Sequence, residues 1–167
     1  YSGKITSWRD LGGADEEIAA FQRTPNSGSQ TLMEKLVMKG VPMADAPSHY
    51  QIGSMGDLLD KVSSYNNQGN AIGYSVYFYA RNMHSVPGLE FLSVDEVTPS
   101  RDTIRNGSYP YVNEFYAAIR EDEAADSPAR LLFDWLTTEE GQDLVADTGY
   151  VPVLDRNGTE ETAVAAM

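Results

Sequence analysis

The chain has 167 residues, 41% of them hydrophobic and 22% charged, a balance that supports a packed core and excludes a wholly disordered segment. A net charge of −13, from 12 basic and 25 acidic side chains, repels nucleic acid and anionic membrane surfaces as partners. The absence of cysteine removes disulfides and thiolate chemistry, and no apolar run of about 20 residues offers a membrane-spanning helix.

The chain opens on Tyr1 without a signal-peptide pattern, as expected of a processed product or a piece of a longer chain. Ile5, Trp8 and Leu11 stand at helical spacing before Gly12-Gly13, which predicts a helix over residues 5–11 with Trp8 turned to the core rather than to a ligand. Ile18, Ala20 and Gln22 alternate with Ala19 and Phe21 as a strand over 17–22, and Pro25 breaks it. A helix over 26–39 follows, with Leu32, Met33, Leu36 and Val37 on one face and Gly40 as its stop. From Gly40 to Gly53 no period is visible, and this stretch reads as a surface connection.

Ser54 to Tyr65 predicts a second helix burying Met55, Leu58, Leu59 and Val62, ended by Asn66-Asn67-Gln68-Gly69. Ala71 to Tyr74 reads as a short strand, and Ser75 as the cap of a helix over 76–82. The aromatic cluster Tyr74, Tyr77, Phe78 and Tyr79 is assigned to packing rather than to sugar stacking, except that Tyr74, at a strand end, can reach a cleft. Leu89 to Val94 alternates as a strand, Thr98-Pro99 starts a helix that ends at Asn106-Gly107, and Tyr111 to Ile119 is a long β-prone run. Ser127-Pro128 opens the last strong helix, with Leu131, Leu132, Trp135 and Leu136 on one face, and Thr138 to Val145 continues after a break. The tail from Arg156 is polar and reads as mobile.

Strands alternating with helices indicate an α/β domain around a mixed or parallel sheet. Its centre of interest is the loop Arg23-Thr24-Pro25-Asn26-Ser27-Gly28-Ser29-Gln30-Thr31, which empties into a helix N-terminus. First-turn N–H groups are unpaired and the helix dipole adds about half a positive charge there, so an anion finds donors from the backbone, from Ser27 and Ser29, and from the planar fork of Arg23. Gly28 lets the backbone come close to such a ligand. The same residues also fit a plain capping box, Ser27-x-x-Gln30, with Arg23 a solvated strand end, and the residues alone leave both readings open. The acidic net charge does not forbid an anion, because screening weakens charges beyond roughly 8–10 Å while donors act at contact.

Arg23 followed by Ser27-Gly28-Ser29 resembles the Arg-x-x-x-Ser-Gly-Thr/Ser loop of the phosphate-binding proteins that serve bacterial ABC phosphate transporters. Tyr1-Ser2-Gly3-Lys4-Ile5-Thr6-Ser7-Trp8 is similar to that family's "ysGkItnW" opening, and Asn70-Ala71-Ile72-Gly73-Tyr74 to its "gaIGY" strand. Ile104-Arg105-Asn106-Gly107-Ser108-Tyr109-Pro110 resembles "i..g.YP", and Phe133-Asp134-Trp135-Leu136, Glu140-Gly141-Gln142 and Gly149-Tyr150-Val151-Pro152 resemble the closing helices and their exit. The motifs run in the family's order over about residues 1–153.

The resemblance implies a periplasmic-binding-protein-like (type II) α/β lobe, a mixed sheet flanked by helices. Residues 1–108 would be the ligand-binding lobe. Residues 109–167 would be a hinge strand and C-terminal helices returning toward an N-terminal lobe that precedes the "ysGkItnW" opening in the family and is absent here, unless a swapped dimer covers them. It implies inorganic phosphate as ligand, held by Arg23, Ser27, Gly28 and Ser29, no cofactor, an ABC permease as membrane partner, and an extracytoplasmic location as a periplasmic protein or cell-surface lipoprotein. In the family the first lobe supplies hydroxyls and the Asp that accepts the ligand's proton, and no counterpart stands in this chain. An enzyme is not expected: no G-x-S-x-G elbow or Walker motif occurs, no Lys or His neighbours Ser27 in sequence, and His49 and His84 have no metal-ligand pattern around them. The alternatives are a phosphoesterase using Ser27 or Ser29 with Arg23 as clamp, and an interaction domain whose socket has lost its ligand. Asn106-Gly-Ser and Asn157-Gly-Thr match the glycosylation pattern but read as turns.

Overall fold

The structure is a computed structural model that describes residues 1–65 and 69–153. The helix stop expected at Asn66-Asn67-Gln68, the turn expected at Asn157 and the tail from Arg156 lie outside the described residues. The chain divides into two compact units, Tyr1–Glu90 and Phe91–Met167. That division by compactness falls ahead of Ser108, the boundary drawn from the sequence.

The first unit is built on one central run. Strands β1 (Ala19–Ala20) and β2 (Gln22–Arg23) are separated only by Phe21. β1 pairs in parallel with β4 (Ala71–Ile72) in the register Ala19↔Ala71, and β2 pairs in parallel with β3 (Gln51–Ile52) in the register Gln22↔Gln51. The amides of Ala19 and Phe21 donate to Asn70 and Ile72 on the β4 side, whereas that of Thr24 donates to Ile52 on the β3 side. Odd and even residues of a strand face opposite neighbours, so the run lies between β4 and β3. The α/β reading holds, with two short parallel ladders.

Helix α2 (Met55–Ser64) packs on this run, capped by Ser54 Oγ accepting from the Asp57 amide. Ala19, Phe21, Leu58 and Leu59 form the buried core, and Tyr50 and Tyr65 meet the Phe21 ring edge-on at 5.0 and 5.3 Å. Gly73 explains its place after β4: a Cβ there would lie 2.7 Å from both Leu58 Cδ2 and Val62 Cγ2. Trp8, in a short 3-10 turn over Trp8–Leu11, donates its indole N–H to Asn70 O at 2.9 Å. Ile5 and Leu11, expected beside it, are exposed instead, because a four-residue turn is too short to present a three-residue face.

The loop empties into α1 (Gly28–Leu32), which continues as a π-helix over Met33–Met38 before Lys39 and Gly40 take left-handed conformations. The wider winding changes the buried face. Met33 and Met38, five apart, are buried, while Val37 is exposed. A second π-helix, Tyr79–Met83, overlaps the helix expected over 76–82, but Ser75 Oγ is buried without a hydrogen-bond partner and does not cap it. The stretch read as a connection contains β3, whose pairing sets it where local period does not.

The second unit carries α3 (Arg101–Arg105), α4 (Pro128–Trp135) and α5 (Glu139–Asp147). Helix α3 is capped by a Ser100/Thr103 box rather than by Thr98, and Asn106 and Gly107 end it as expected. Ser127 and Pro128 open α4, and Thr138 caps α5. The strand expected over Leu89–Val94 is not formed: Val94 bonds back to Val97 around Asp95 and Glu96, both at positive φ. Tyr111 to Ile119 likewise makes no ladder among the described residues, and Phe115 and Tyr116 stand 61% and 80% exposed. β-propensity measures fit to a pleated, half-buried surface, and these runs have none beside them.

The Gly141-Gln142 pair closes the α4–α5 corner. Gln142 Nε2 donates to Leu136 O at 2.6 Å, and its Oε1 accepts from the Val153 amide at 2.8 Å. A Cβ on Gly141 would lie 2.2 Å from Trp135 O, a backbone atom that cannot swing away. Gly141→Ala is therefore expected to lower stability by about 3 kcal/mol, read by urea unfolding. A midpoint equal to the parent's would mean that the two helices are not held this closely.

Candidate anion-binding site

Arg23 ends β2 and is only 8% exposed, yet its Nε and Nη1 are buried without a hydrogen-bond partner. Its backbone is held firmly from two directions. The Arg23 amide donates to the Tyr74 hydroxyl at 3.0 Å, and the next residue, Thr24, donates to Ile52 O at 3.3 Å. The chain then turns: the Ser27 amide donates to Thr24 O, with Pro25 second and Asn26 third at φ 65°, the type II arrangement that Pro and Asn favour.

Ser27 is the N-cap of α1, and its Oγ accepts from the Gln30 amide at 3.4 Å. The reciprocal half of a capping box is not made. Gln30 Nε2 turns instead to Glu34 Oε1 at 2.8 Å and to Met43 Sδ at 3.3 Å, and the Ser27 amide is occupied by Thr24. A hydroxyl that accepts from an amide keeps its own proton to donate. Gly28 and Ser29, the next two residues, have first-turn N–H groups that no intrahelical carbonyl can reach. Ser29 Oγ is buried and unpartnered, and a Cβ on Gly28 would meet nothing within 4 Å.

Tyr74 reaches this loop from beyond β4. Its hydroxyl accepts from the Arg23 amide and donates to Gln30 Oε1, so both capacities go to the protein. Burial raises its pKa above the usual tyrosine range, which keeps the donating proton in place. Tyr1 packs edge-on against it at 5.3 Å and donates to Phe21 O. Gln30 is the residue that sequence reasoning underrated: it read as the far end of a capping box, and only the fold brings Tyr74, Glu34 and Met43 to its amide.

A cleft of about 400 Å³ adjoins the site, lined by Arg23, Gln30, Glu34 and the segment 40–46. Its lining includes the carboxylates Glu34 and Asp45, which oppose an anion, and leaves out Ser27, Gly28 and Ser29. Ser27, Gly28 and Ser29 lie outside that lining, on the first turn of α1. Of the two histidines, His84 Nε2 bonds Asp60 Oδ1 and the His49 ring leans on Tyr50.

Residues 1–140 match the family described as the PBP superfamily domain. The chain belongs to that family. This PBP-superfamily domain is 25% identical over 157 residues to the phosphate-binding protein PstS of Borreliella burgdorferi, covering 91% of this chain and 54% of that protein. With the PstS of Bacillus subtilis it shares 26% over 162 residues, 96% of this chain and 50% of that one. Among solved structures, a putative phosphate ABC transporter substrate-binding protein from Clostridium perfringens, with bound phosphate, superposes with a TM-score of 0.66 at 26% identity, covering 92% of this chain and 59% of that one. An ABC-type phosphate transport receptor from Vibrio cholerae, at 22% identity and a TM-score of 0.64, shares the fold, with 90% of this chain and 59% of that one covered. The PBP domain described here spans about half the length of the curated relatives it matches.

A buried cation with unmatched donors costs stability in the ligand-free state. Arg23→Met, which keeps the length and removes the charge, is expected to raise stability in anion-free buffer by about 1 kcal/mol. A drop in the thermal midpoint would show that the guanidinium is held by the protein itself.

Proposed function

We propose that this domain belongs to the solute-binding component of an ABC importer and supplies one face of an inorganic phosphate site at the first turn of α1. The observation that carries the reading is the buried Arg23 guanidinium, with Nε and Nη1 unpartnered, on the same loop as the unpartnered Ser29 hydroxyl. Arg23 acts as the two-pronged donor, Ser27 and Ser29 as hydroxyl donors, and the N–H groups of Gly28 and Ser29 as backbone donors. The phosphate named in the relatives' descriptions, and bound in the Clostridium perfringens protein, supports the choice of anion.

The domain binds and releases; it does not catalyse. Ser29 Oγ has no base bonded to it, and a serine without one is a weak nucleophile. Release of a chromophore from a phosphate ester by this chain, abolished in Ser27→Ala or Ser29→Ala, would favour the phosphoesterase alternative. The remaining partners follow from the same role: a membrane permease of the importer, an extracytoplasmic location, and a second lobe or second copy that closes over the anion. Residues 1–108 act as the ligand-binding lobe, and 109–167 as the hinge segment and helices that return toward that second face.

Titration with phosphate, followed by the amide resonances of Ser27 to Thr31, tests the site. Saturation is expected in the millimolar range, because a one-sided socket leaves its donors hydrated. Saturation at micromolar phosphate would mean that residues 109–167 or a second copy already complete the site, and no response at molar-scale phosphate would sink the reading. Arg23→Lys keeps the charge but loses the fork, and is expected to weaken binding about tenfold or more, roughly one charge-assisted hydrogen bond. Gly28→Ala is expected to leave the thermal midpoint unchanged or slightly higher, since nothing crowds its Cβ, and yet to weaken phosphate binding by filling the space in front of the amides. Equal affinity in both variants would place the anion elsewhere.

A further inference from the structure

The loop that carries the anion donors has two stems, Arg23 at the end of β2 and Gln30 in the first turn of α1. One oxygen joins them. The Tyr74 hydroxyl accepts the Arg23 amide at 3.0 Å and donates to Gln30 Oε1, and the Gln30 side chain is in turn anchored to Glu34 and Met43. Tyr74 is itself fixed, by Gly73 lying against α2 on one side and by the Tyr1 ring on the other. The guanidinium has no comparable support, since its Nε and Nη1 bond nothing in the protein.

From this geometry we infer that Tyr74 is a positioning residue: a clasp across the base of the anion loop that fixes the distance between the Arg23 fork and the Ser29 donors without touching the anion. The inference rests on the phosphate reading for its effect on affinity, but the clasp itself is a property of the ligand-free chain. With the hydroxyl present, six loop residues span two fixed stems, and the donors are arranged before the ligand arrives. Without it, the Arg23 amide and Gln30 Oε1 lose a shared partner and the two stems are no longer tied to each other, so more of the ordering of the loop falls to the ligand. The sequence reading placed Tyr74 at the edge of a cleft. Here it acts one bond further back, with its hydroxyl engaged by the Arg23 amide and Gln30 Oε1.

The test uses the full chain as parent, Tyr74→Phe, Gln30→Met and the double variant, each checked for a folded amide spectrum and titrated with inorganic phosphate. The Arg23 Nε–Hε resonance is followed in parallel. Each single variant is expected to weaken phosphate binding about tenfold, the value of one hydrogen bond, and the double variant no further, because both remove the same link. The Arg23 Nε–Hε peak is expected to shift in Tyr74→Phe before any phosphate is added, which a loss of global stability in a still-folded protein would not produce. Parent affinity in Tyr74→Phe with an unmoved Arg23 peak overturns the inference, and so do losses that multiply in the double variant. If Tyr74→Phe does not fold, Gln30→Met and its Arg23 peak decide by the same criteria. If the parent itself does not respond to phosphate, the functional reading fails separately, and the Arg23 peak alone decides the clasp: moved in Tyr74→Phe it stands, unmoved it falls.

Discussion

Everything at the site depends on a five-residue strand run that is hydrogen-bonded along both of its edges. Ala19 and Phe21 bond toward β4 and Thr24 toward β3, so the run cannot slide, tilt or twist without breaking one ladder. Phe21 and Ala19 pin it to the core beneath. Arg23 is the last residue of this run, and its backbone inherits that rigidity. A long cationic side chain is ordinarily the most mobile kind; rooting it in a central strand and burying it removes much of that freedom before any ligand is present.

The polar groups of the loop divide cleanly by what they bond. The backbone ahead of the helix is satisfied within the protein: Thr24, Ser27 and Arg23 all donate to named acceptors, and the type II turn uses Pro25 and Asn26 in the positions they favour. The groups left over are the charged fork, the Ser29 hydroxyl and the first-turn amides. Donors predominate in that remainder. A protein that needed only a stable turn would have little reason to bury a guanidinium there, since an apolar side chain of the same length is the more stable choice. The cost is local, and the surrounding aromatic and aliphatic core is where stability is recovered.

Features set by a few neighbouring residues were legible in the sequence. Ser54, Ser127 and Thr138 cap where their side chains and the following residues say they should, Gly12, Gly40 and Gly107 terminate in left-handed conformations, and the loop before α1 is a loop. Features set by distant partners were not. β3 is a strand because β2 lies beside it, although nothing in Gln51-Ile52 says so. Tyr111 to Ile119 has the composition of a strand and no neighbour among the described residues to make it one. The site divides in the same way: Arg23, Ser27, Gly28 and Ser29 are readable as one local pattern, whereas Gln30 takes its role from Tyr74, which stands 44 residues further along the chain.

The π-winding of Met33–Met38 decides which side chains this helix buries. A π-turn holds one residue more than an α-turn, so it behaves as a one-residue insertion concealed inside a helix. The buried positions follow that winding: Met33 and Met38 are buried five apart, where a spacing of four would have placed exposed Val37. Upstream of it, the stretch that holds Arg23 to Gln30 lies ahead of the wide turns and keeps its own spacing, so the extra residue alters the helix behind the loop and not the loop itself.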